Sequence, residues 1–499
     1  MERYDLVIIG GGPAGHAAAM RAIDLGMRVM LVERDRIGGT GIYNGALASK
    51  TLWEMAMRVS STNELMRKRG REPLRLEWDE VHRTLQEAMF ERKYLYACHM
   101  QLLSEQRNEH GSPLFTYERG EAHFISPHVL EIRRTDGARH VEAEHIIIAT
   151  GSRPRSSNEL PMDGVNVLTS DHVFGLDAPP ESIVIIGAGV IGCEFATIFS
   201  NLGRTRVHLI DRAERILPFE DEDVSELVSR EMERRGVIIH RNAKLDRLVV
   251  HADGPADGRV SYELSYPDGR RETVRVSKAL LSIGRVANTD RLGLELAGMA
   301  LDERGQPVLN GTATSLPHVH VVGDATGSNM LVNLGELEGR HAVEVLAGIR
   351  SDVPSYANMS TIMFLDPEVA GVGLNEMECR ARGIPYRMAR IDYSCLARAI
   401  AMRRTRGFFK VLVTDDAEMR VIGMRAVGEH ASSAIQAVAL MIRQGTPVRE
   451  LAELLHPHPS ITEGVQECAR MLTGTSIFKP EVLGDKLRCS RWAPVVKAA

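Results

Sequence analysis

Two glycine-rich turns carry the first chemistry legible in this chain. Gly10-Gly11-Gly12-Pro13-Ala14-Gly15 follows an apolar strand pattern, Tyr4 to Ile9, and opens a small-residue helix, Ala14 to Leu25. Gly10 permits the tight turn, Gly12 lets the backbone approach a pyrophosphate, and Gly15 lets helix and strand touch. The helix N-terminus offers unpaired N–H groups and a positive dipole end to phosphates. Glu33, which closes a second strand about 18 residues past Gly15, can accept from ribose hydroxyls. The arrangement recurs at Gly187-Ala188-Gly189-Val190-Ile191-Gly192, between the strand Glu181 to Ile186 and the helix Val190 to Leu202. Its acid is Asp211, about 19 residues past Gly192. Two such units mean two bound dinucleotides. Asp211 accepts from a ribose 2′-OH and repels a 2′-phosphate, which favours NAD(H); Arg212 and Arg215 beside it leave NADP(H) open.

Other candidates are sparser. Val319 to Asp324 reads as a strand ending in Gly323-Asp324, and an aspartate at the carboxyl end of a parallel strand points into the ligand crevice. His458 and Glu463 could form an acid–base pair, although a histidine and a glutamate at that spacing are commonly structural. The six cysteines, at 98, 193, 379, 395, 468 and 489, form no CxxC or CxxxxC pair, which removes local redox motifs and zinc knuckles. Most are expected to pack as small buried hydrophobes. The expected metal complement is none.

These residues need a large scaffold. A chain of 499 residues exceeds what one core supports, so about three domains are expected. Strand-and-turn endings at Val141 to Pro154 and Leu280 to Asn288, and a change to alternating strand patterns after Ser351, set the expected boundaries. They are residues 1–154 and 285–350 for one dinucleotide-binding domain, 155–284 for the second, 351–478 for an α+β domain and 479–499 for a tail. Between the turns lies a long helical stretch, Ser49 to Gln106, whose basic run Leu65 to Arg71 reads as a solvated helix end. The polar, proline-broken tail is expected to be poorly ordered unless it docks. A net charge of −5 argues against nucleic acid or an anionic membrane as partner. No run reaches the ~20 apolar residues of a membrane span, and no leader pattern precedes the first strand, so a cytoplasmic protein is expected.

In order along the chain, seven segments resemble the signatures of the two-dinucleotide-binding disulfide oxidoreductase family, which includes dihydrolipoamide dehydrogenase, glutathione and mercuric reductases and the soluble pyridine nucleotide transhydrogenase. They are Gly10 to Gly15, Gly38 to Lys50, Ala149 to Pro154, Gly187 to Glu194, Gly284 to Thr289, Val322 to Asp324 and His456 to Glu463. The resemblance implies an α/β fold of two Rossmann-like domains, for FAD and NAD, with a C-terminal α+β dimerisation domain. It implies FAD on Gly10, Gly12, Pro13, Ala14, Gly15, Glu33, Arg34, Gly39, Thr40, Lys50, Thr150, Gly151, Gly323 and Asp324. NAD(H) would lie on Gly187, Gly189, Val190, Ile191, Gly192, Glu194, Asp211, Arg212 and Gly284. Lys50 would sit near the flavin N5 and pair with Glu194. A homodimer would bring His458, oriented by Glu463, to the other subunit's flavin.

One departure decides the chemistry. The family carries G-G-T-C-x-x-x-x-C-x-x-S-K where this chain has Gly41 and Ala46 at the two cysteine positions, and thiolate chemistry needs a sulfur. The leading expectation is an FAD-dependent NAD(P)H oxidoreductase, not expected to reduce lipoamide, that delivers electrons to a small acceptor such as a quinone. Gly41 and Ala46 would open space above the flavin and Tyr43 could stack on a flat acceptor. A transhydrogenase, whose relatives also break the pair but generally lack the histidine, is the narrower alternative. A non-catalytic flavin-binding sensor or partner subunit is the third.

Overall fold

The computed structural model describes residues 1–107, 111–157, 159–251 and 255–494. The chain forms two compact units: residues 1–55, 75–178 and 283–354 make the first, and residues 56–74, 179–282 and 355–499 the second.

The first unit is built on the strand Glu2–Ile9, whose Leu6, Val7 and Ile8 are fully buried. Apolar on both faces, it suits the middle of a covered parallel sheet. It pairs in parallel with Val29–Glu33 on one side and Gly137–Ile148 on the other. Phe115–Arg119 extends the sheet beyond Val29–Glu33, and Val319–Val321 adds to Gly137–Ile148. Helix α1 (Pro13–Asp24) buries Ala14, Ala18, Ala19 and Ala22. Small residues let it lie close to the helix Val332–Leu346, where a Cβ on Gly339 would stand 2.3 Å from the Ala14 carbonyl oxygen. After the short α2 (Gly39–Ile42), the expected helical stretch from Ser49 to Gln106 is two helices, α3 (Ala46–Lys68) and α4 (Trp78–Glu105). Gly70, with φ of 61°, and Pro73 separate the two long ones.

The second unit repeats the pattern. Ser182–Ile186 pairs in parallel with Arg206–Ile210 and with Lys278–Leu281, and α5 (Val190–Leu202) and α6 (Glu222–Arg234) follow successive strands. The same unit holds an antiparallel sheet in the order Ser360–Met363, Val369–Gly373, Val421–Val427, Phe408–Thr414, Tyr386–Asp392 and Leu487–Trp492. Its last strand shows the tail docked on the body. Leu487–Trp492 pairs along the whole of Tyr386–Ile391, buries Leu487 and stacks Trp492 on Tyr386 with ring centroids 5.7 Å apart. Residues 495–499 lie outside the described residues.

Candidate functional site

In the first unit the glycine turn is held to tolerances that exclude side chains. Gly10 has a φ of 112°, and a Cβ there would lie 2.3 Å from the Ala149 oxygen; a Cβ on Gly15 would lie 1.9 Å from the Gly10 oxygen. Gly12, by contrast, has no atom within 4 Å of a Cβ position, so its face is open for a ligand. The Glu33 carboxylate fixes this loop by accepting from the Gly11 and Asp35 backbone N–H groups, each at 2.7 Å. A cleft of about 60 Å³ opens beside Gly10, Glu33, Arg34, Thr150 and Asn288. Thr150 Oγ1 is buried there with no hydrogen-bond partner among the described residues. An open pyrophosphate-facing glycine, a carboxylate at the strand end and an orphaned hydroxyl fit a bound dinucleotide.

Asp324 sits in the short turn Gly323–Thr326, with its Oδ2 accepting from Ser152 Oγ at 2.7 Å. Arg285 Nε donates to that same Ser152 oxygen at 2.7 Å. Buried Glu338 accepts from the Gly323 N–H at 2.7 Å and fixes the turn from behind. Ser152 and Arg285 lie in the family-like segments Ala149 to Pro154 and Gly284 to Thr289, but neither was expected to hold Asp324. Glu338 leaves a fainter trace, as an acid between Gly335 and Gly339 on a helix that must otherwise pack tightly.

The stretch from Gly38 to Lys50 starts two helices. Gly38 caps α2 in the left-handed region, and Lys50 lies in the first turns of α3. At Gly41 a Cβ would lie 2.7 Å from Pro13 Cγ, closer than any real side chain comes. The turn therefore packs directly on the proline of the first glycine motif, and the space expected over this position is filled. Tyr43 is also committed, since the Arg36 guanidinium lies 4.1 Å from its ring centroid and occupies one of its two faces.

The second unit matches the first in detail. Gly187 has a φ of 103°, a Cβ on Gly192 would meet the Gly187 oxygen at 2.0 Å, and Gly189 is open. Asp211 accepts from Ala188 N at 2.7 Å and Ala213 N at 2.8 Å, as Glu33 does in its loop. Arg212 beside it is exposed. Glu194 is buried in α5 and accepts from Phe364 N at 3.0 Å. Gly284 falls in the first unit.

His458 and Glu463 are joined by a 2.8 Å contact from Nδ1 to Oε1, while Glu463 Oε2 accepts from Ser460 N at 2.8 Å. Burial alone would raise the Glu463 pKa. The hydrogen bonds from His458 and Ser460 outweigh it and hold the carboxyl below its ordinary value. An ionised Glu463 fixes the ring by Nδ1, and the imidazole, 72% exposed, is left presenting its other nitrogen outward.

No two cysteines are bonded among the described residues, and Cys193, Cys379 and Cys468 are buried. Burial pushes the Cys379 thiol up to about 11, and those of Cys193 and Cys468 higher still. Cys489 is held in the edge strand of the antiparallel sheet. One carboxylate cluster has metal-like spacing: Asp221, Asp223 and Glu376. Its centre is taken by the fully buried Lys410, whose Nζ lies 2.7, 2.6 and 2.9 Å from the three.

Residues 4–339 match the family described as pyridine nucleotide-disulphide oxidoreductase, and residues 359–469 match its dimerisation domain. The chain belongs to this family. It is an FAD- and NAD(P)-dependent oxidoreductase built on the family's two-dinucleotide fold. Dihydrolipoyl dehydrogenase of Buchnera aphidicola is 30% identical over 94% of this chain and 96% of its own. That of Bacillus subtilis is 30% identical over 95% and 99%. Among solved structures, LpdA of Mycobacterium tuberculosis superposes with a TM-score of 0.82 at 26% identity, covering 95% of this chain and all of that one. The HOCl-induced flavoprotein disulfide reductase RclA of Escherichia coli has the same fold, with a TM-score of 0.80 at 24% identity over 95% of this chain. No helix among the described residues is long and apolar enough to cross a membrane.

Replacing Asp211 by asparagine keeps one of the two oxygen acceptors for the loop N–H groups and removes the charge. The NADH over NADPH preference in kcat/KM is expected to narrow by about tenfold, the worth of one charge-assisted contact. An unchanged ratio would remove Asp211 from nucleotide selection.

Proposed function

We propose that this protein oxidises NADH and passes the electrons to a small non-disulfide acceptor, a quinone or a similar flat molecule, without a dithiol relay. The observation that carries the reading is Gly41 packed on Pro13: the position lacks a sulfur, and a Cβ would already be too close. FAD supplies the ring that takes a hydride and releases electrons singly or in pairs.

The chain's own residues account for binding and proton control. Gly12 and the α1 N-terminus receive one pyrophosphate, Glu33 a ribose, and Asp324, held by Ser152, the polyol chain of the cofactor. Gly189, the α5 N-terminus and Asp211 do the same for NADH. The Lys50 ammonium offsets negative charge developing at the flavin, as the family resemblance implies. In a homodimer formed through the C-terminal sheet domain, His458 of each subunit, oriented by Glu463, gives a proton to the reduced acceptor. Tyr43, partly buried with Arg36 over one face of its ring, is the residue offered to stack on a flat acceptor.

Anaerobic NADH titration is expected to reduce the flavin fully at about two electron equivalents per FAD, without a long-wavelength thiolate-to-flavin band. That band, or lipoamide reduction at a rate comparable to quinone reduction, would overturn the reading. Faster transfer to thio-NADP⁺ than to a quinone would assign the protein to transhydrogenation instead.

A further inference from the structure

An open cleft of about 560 Å³ lies wholly within the second unit. Its walls bring together residues from distant parts of the chain: Arg67 and Arg71 near the end of α3, Arg234 and Arg235 at the end of α6, and Arg404 and Arg406 after the helix Ala397–Met402. In a chain of net charge −5 this is a concentrated positive surface. Lys68 adds a seventh cation, and Glu64 is the only carboxylate in the lining.

A bland account of such a surface is helix capping. The C-terminal ends of α3, α5 and α6 all reach the cleft, and basic residues there complement the carbonyl ends of the dipoles. Magnitudes decide against that account alone. Three helix ends contribute together about −1.5 elementary charges. The carboxylates that pair with the cleft's cations are Glu64 with Lys68, Glu231 with Arg234 and Arg406, Asp366 with Arg235, and Glu429 with Arg404. Seven cations against four carboxylates and three dipole ends leave the cleft positive. Arg67 and Arg71, both exposed, make no ion pair among the described residues.

The inner wall is also preorganised. Arg235 Nη1 donates to Ser60 Oγ and Asn201 Oδ1, both at 3.0 Å, and Arg404 Nη2 donates to Ser61 Oγ at 2.7 Å. These bonds fix two guanidinium groups at the floor, while Arg67 and Arg71 stand at the mouth. Burial, with Arg234 and Arg404 nearby, lowers the pKa of Arg235, so the floor carries a repulsion that an anion would relieve.

We propose that this cleft binds a phosphate-type anion of at least two negative charges, of the size of a nucleoside diphosphate, at a site separate from both dinucleotides. It is distinct from the nucleotide turn by geometry. Ser200, Asn201 and Gly203 line it at the far end of α5 from Gly189, and a helix from Val190 to Leu202 is about 20 Å long. The guanidinium forks match phosphate oxygens in pairs, a geometry that lysine-rich solvated surfaces lack.

The test is calorimetry of FAD-loaded protein with inorganic pyrophosphate, in saturating NAD⁺ so that the nucleotide turn is blocked. Binding is expected, and the doubly substituted Arg67→Gln, Arg71→Gln protein should bind pyrophosphate at least about tenfold more weakly. NADH reduction of the flavin should be unchanged in it. ADP binding as well as or better than pyrophosphate, with the same loss in the variant, would support a phosphate ester as ligand. Displacement of pyrophosphate by NAD⁺, equal affinity in the variant and the parent, or absence of binding would each overturn the proposal. So would an acidic peptide that binds the same arginines while pyrophosphate does not.

Discussion

Lys410→Met will destabilise the protein by on the order of 3–5 kcal/mol near neutral pH, measured by denaturant unfolding of the FAD-loaded protein. The fully buried ammonium is the shared counter-charge for Asp221, Asp223 and Glu376, and the substitution removes the ion pair of buried Asp221 and leaves Asp223 and Glu376 only the longer contacts to Arg390 and Arg380. The pH dependence gives a sharper signature than the size of the loss. Burial alone would raise the Asp221 pKa, but Lys410 and the Met377 N–H reverse this, so it titrates below its ordinary value. A carboxyl depressed on folding adds stability above its unfolded pKa and loses it as pH falls through the folded one. In the parent protein this contribution is therefore intact at pH 7 and fades below the ordinary carboxylate range. Without Lys410 the sign inverts: the crowded carboxyls titrate above their unfolded values, and the variant gains stability as pH falls from 8 towards 5. A variant that weakens steadily over that interval would show that Lys410 is not the counter-charge.

The second large effect uses one substitution at two equivalent turns. Gly15→Ala forces a Cβ to within 1.9 Å of the Gly10 oxygen, and Gly192→Ala forces one to within 2.0 Å of the Gly187 oxygen. Such overpacking costs about 1–3 kcal/mol where the backbone yields, roughly tenfold to a hundredfold in binding. Gly15→Ala should purify with little flavin. Gly192→Ala should purify with a full complement of FAD yet be reduced by NADH at least about tenfold more slowly at subsaturating nucleotide. The contrast assigns each turn to its cofactor, and both variants losing flavin equally would refute the assignment. Flavin content by absorbance and stopped-flow reduction supply the two readings.

How much of this was legible in the sequence depended on whether a residue acts through its neighbours in the chain. The glycine turns, Glu33 and Asp211 form local strand-turn-helix units, and the spacing that reveals them also creates their hydrogen bonds. The parallel sheets follow from runs such as Leu6 to Ile9 that leave no polar face. Ser152, Arg285 and Glu338 fix the turn that holds Asp324 across long stretches of chain, and nothing local marks that role. Lys410 is hidden for the same reason. It sits in the strand Phe408–Thr414 at a position any exposed lysine could hold, and only folding brings Asp221, Asp223 and Glu376 to it. The basic run at Arg67 to Arg71 was visible as charge, but its meaning depended on arginines more than 150 residues away, beyond the reach of any local pattern. The final strand was not legible as a strand because its exposed positions, Arg488 and Arg491, carry the charge that natural sheet edges use against aggregation.

That strand also sets a timetable. Tyr386–Asp392 acquires its outer neighbour from Leu487–Trp492, about 95 residues further along. At a ribosomal speed of about 5–20 residues per second, the edge stays unpaired for on the order of 5–20 s while a nascent chain is being made. During that interval Tyr386 has no Trp492 to cover it, and the template for mispairing is open. Slow translation through this region would lengthen the exposure, making yield in cells sensitive to codon choice even though the finished protein is the same.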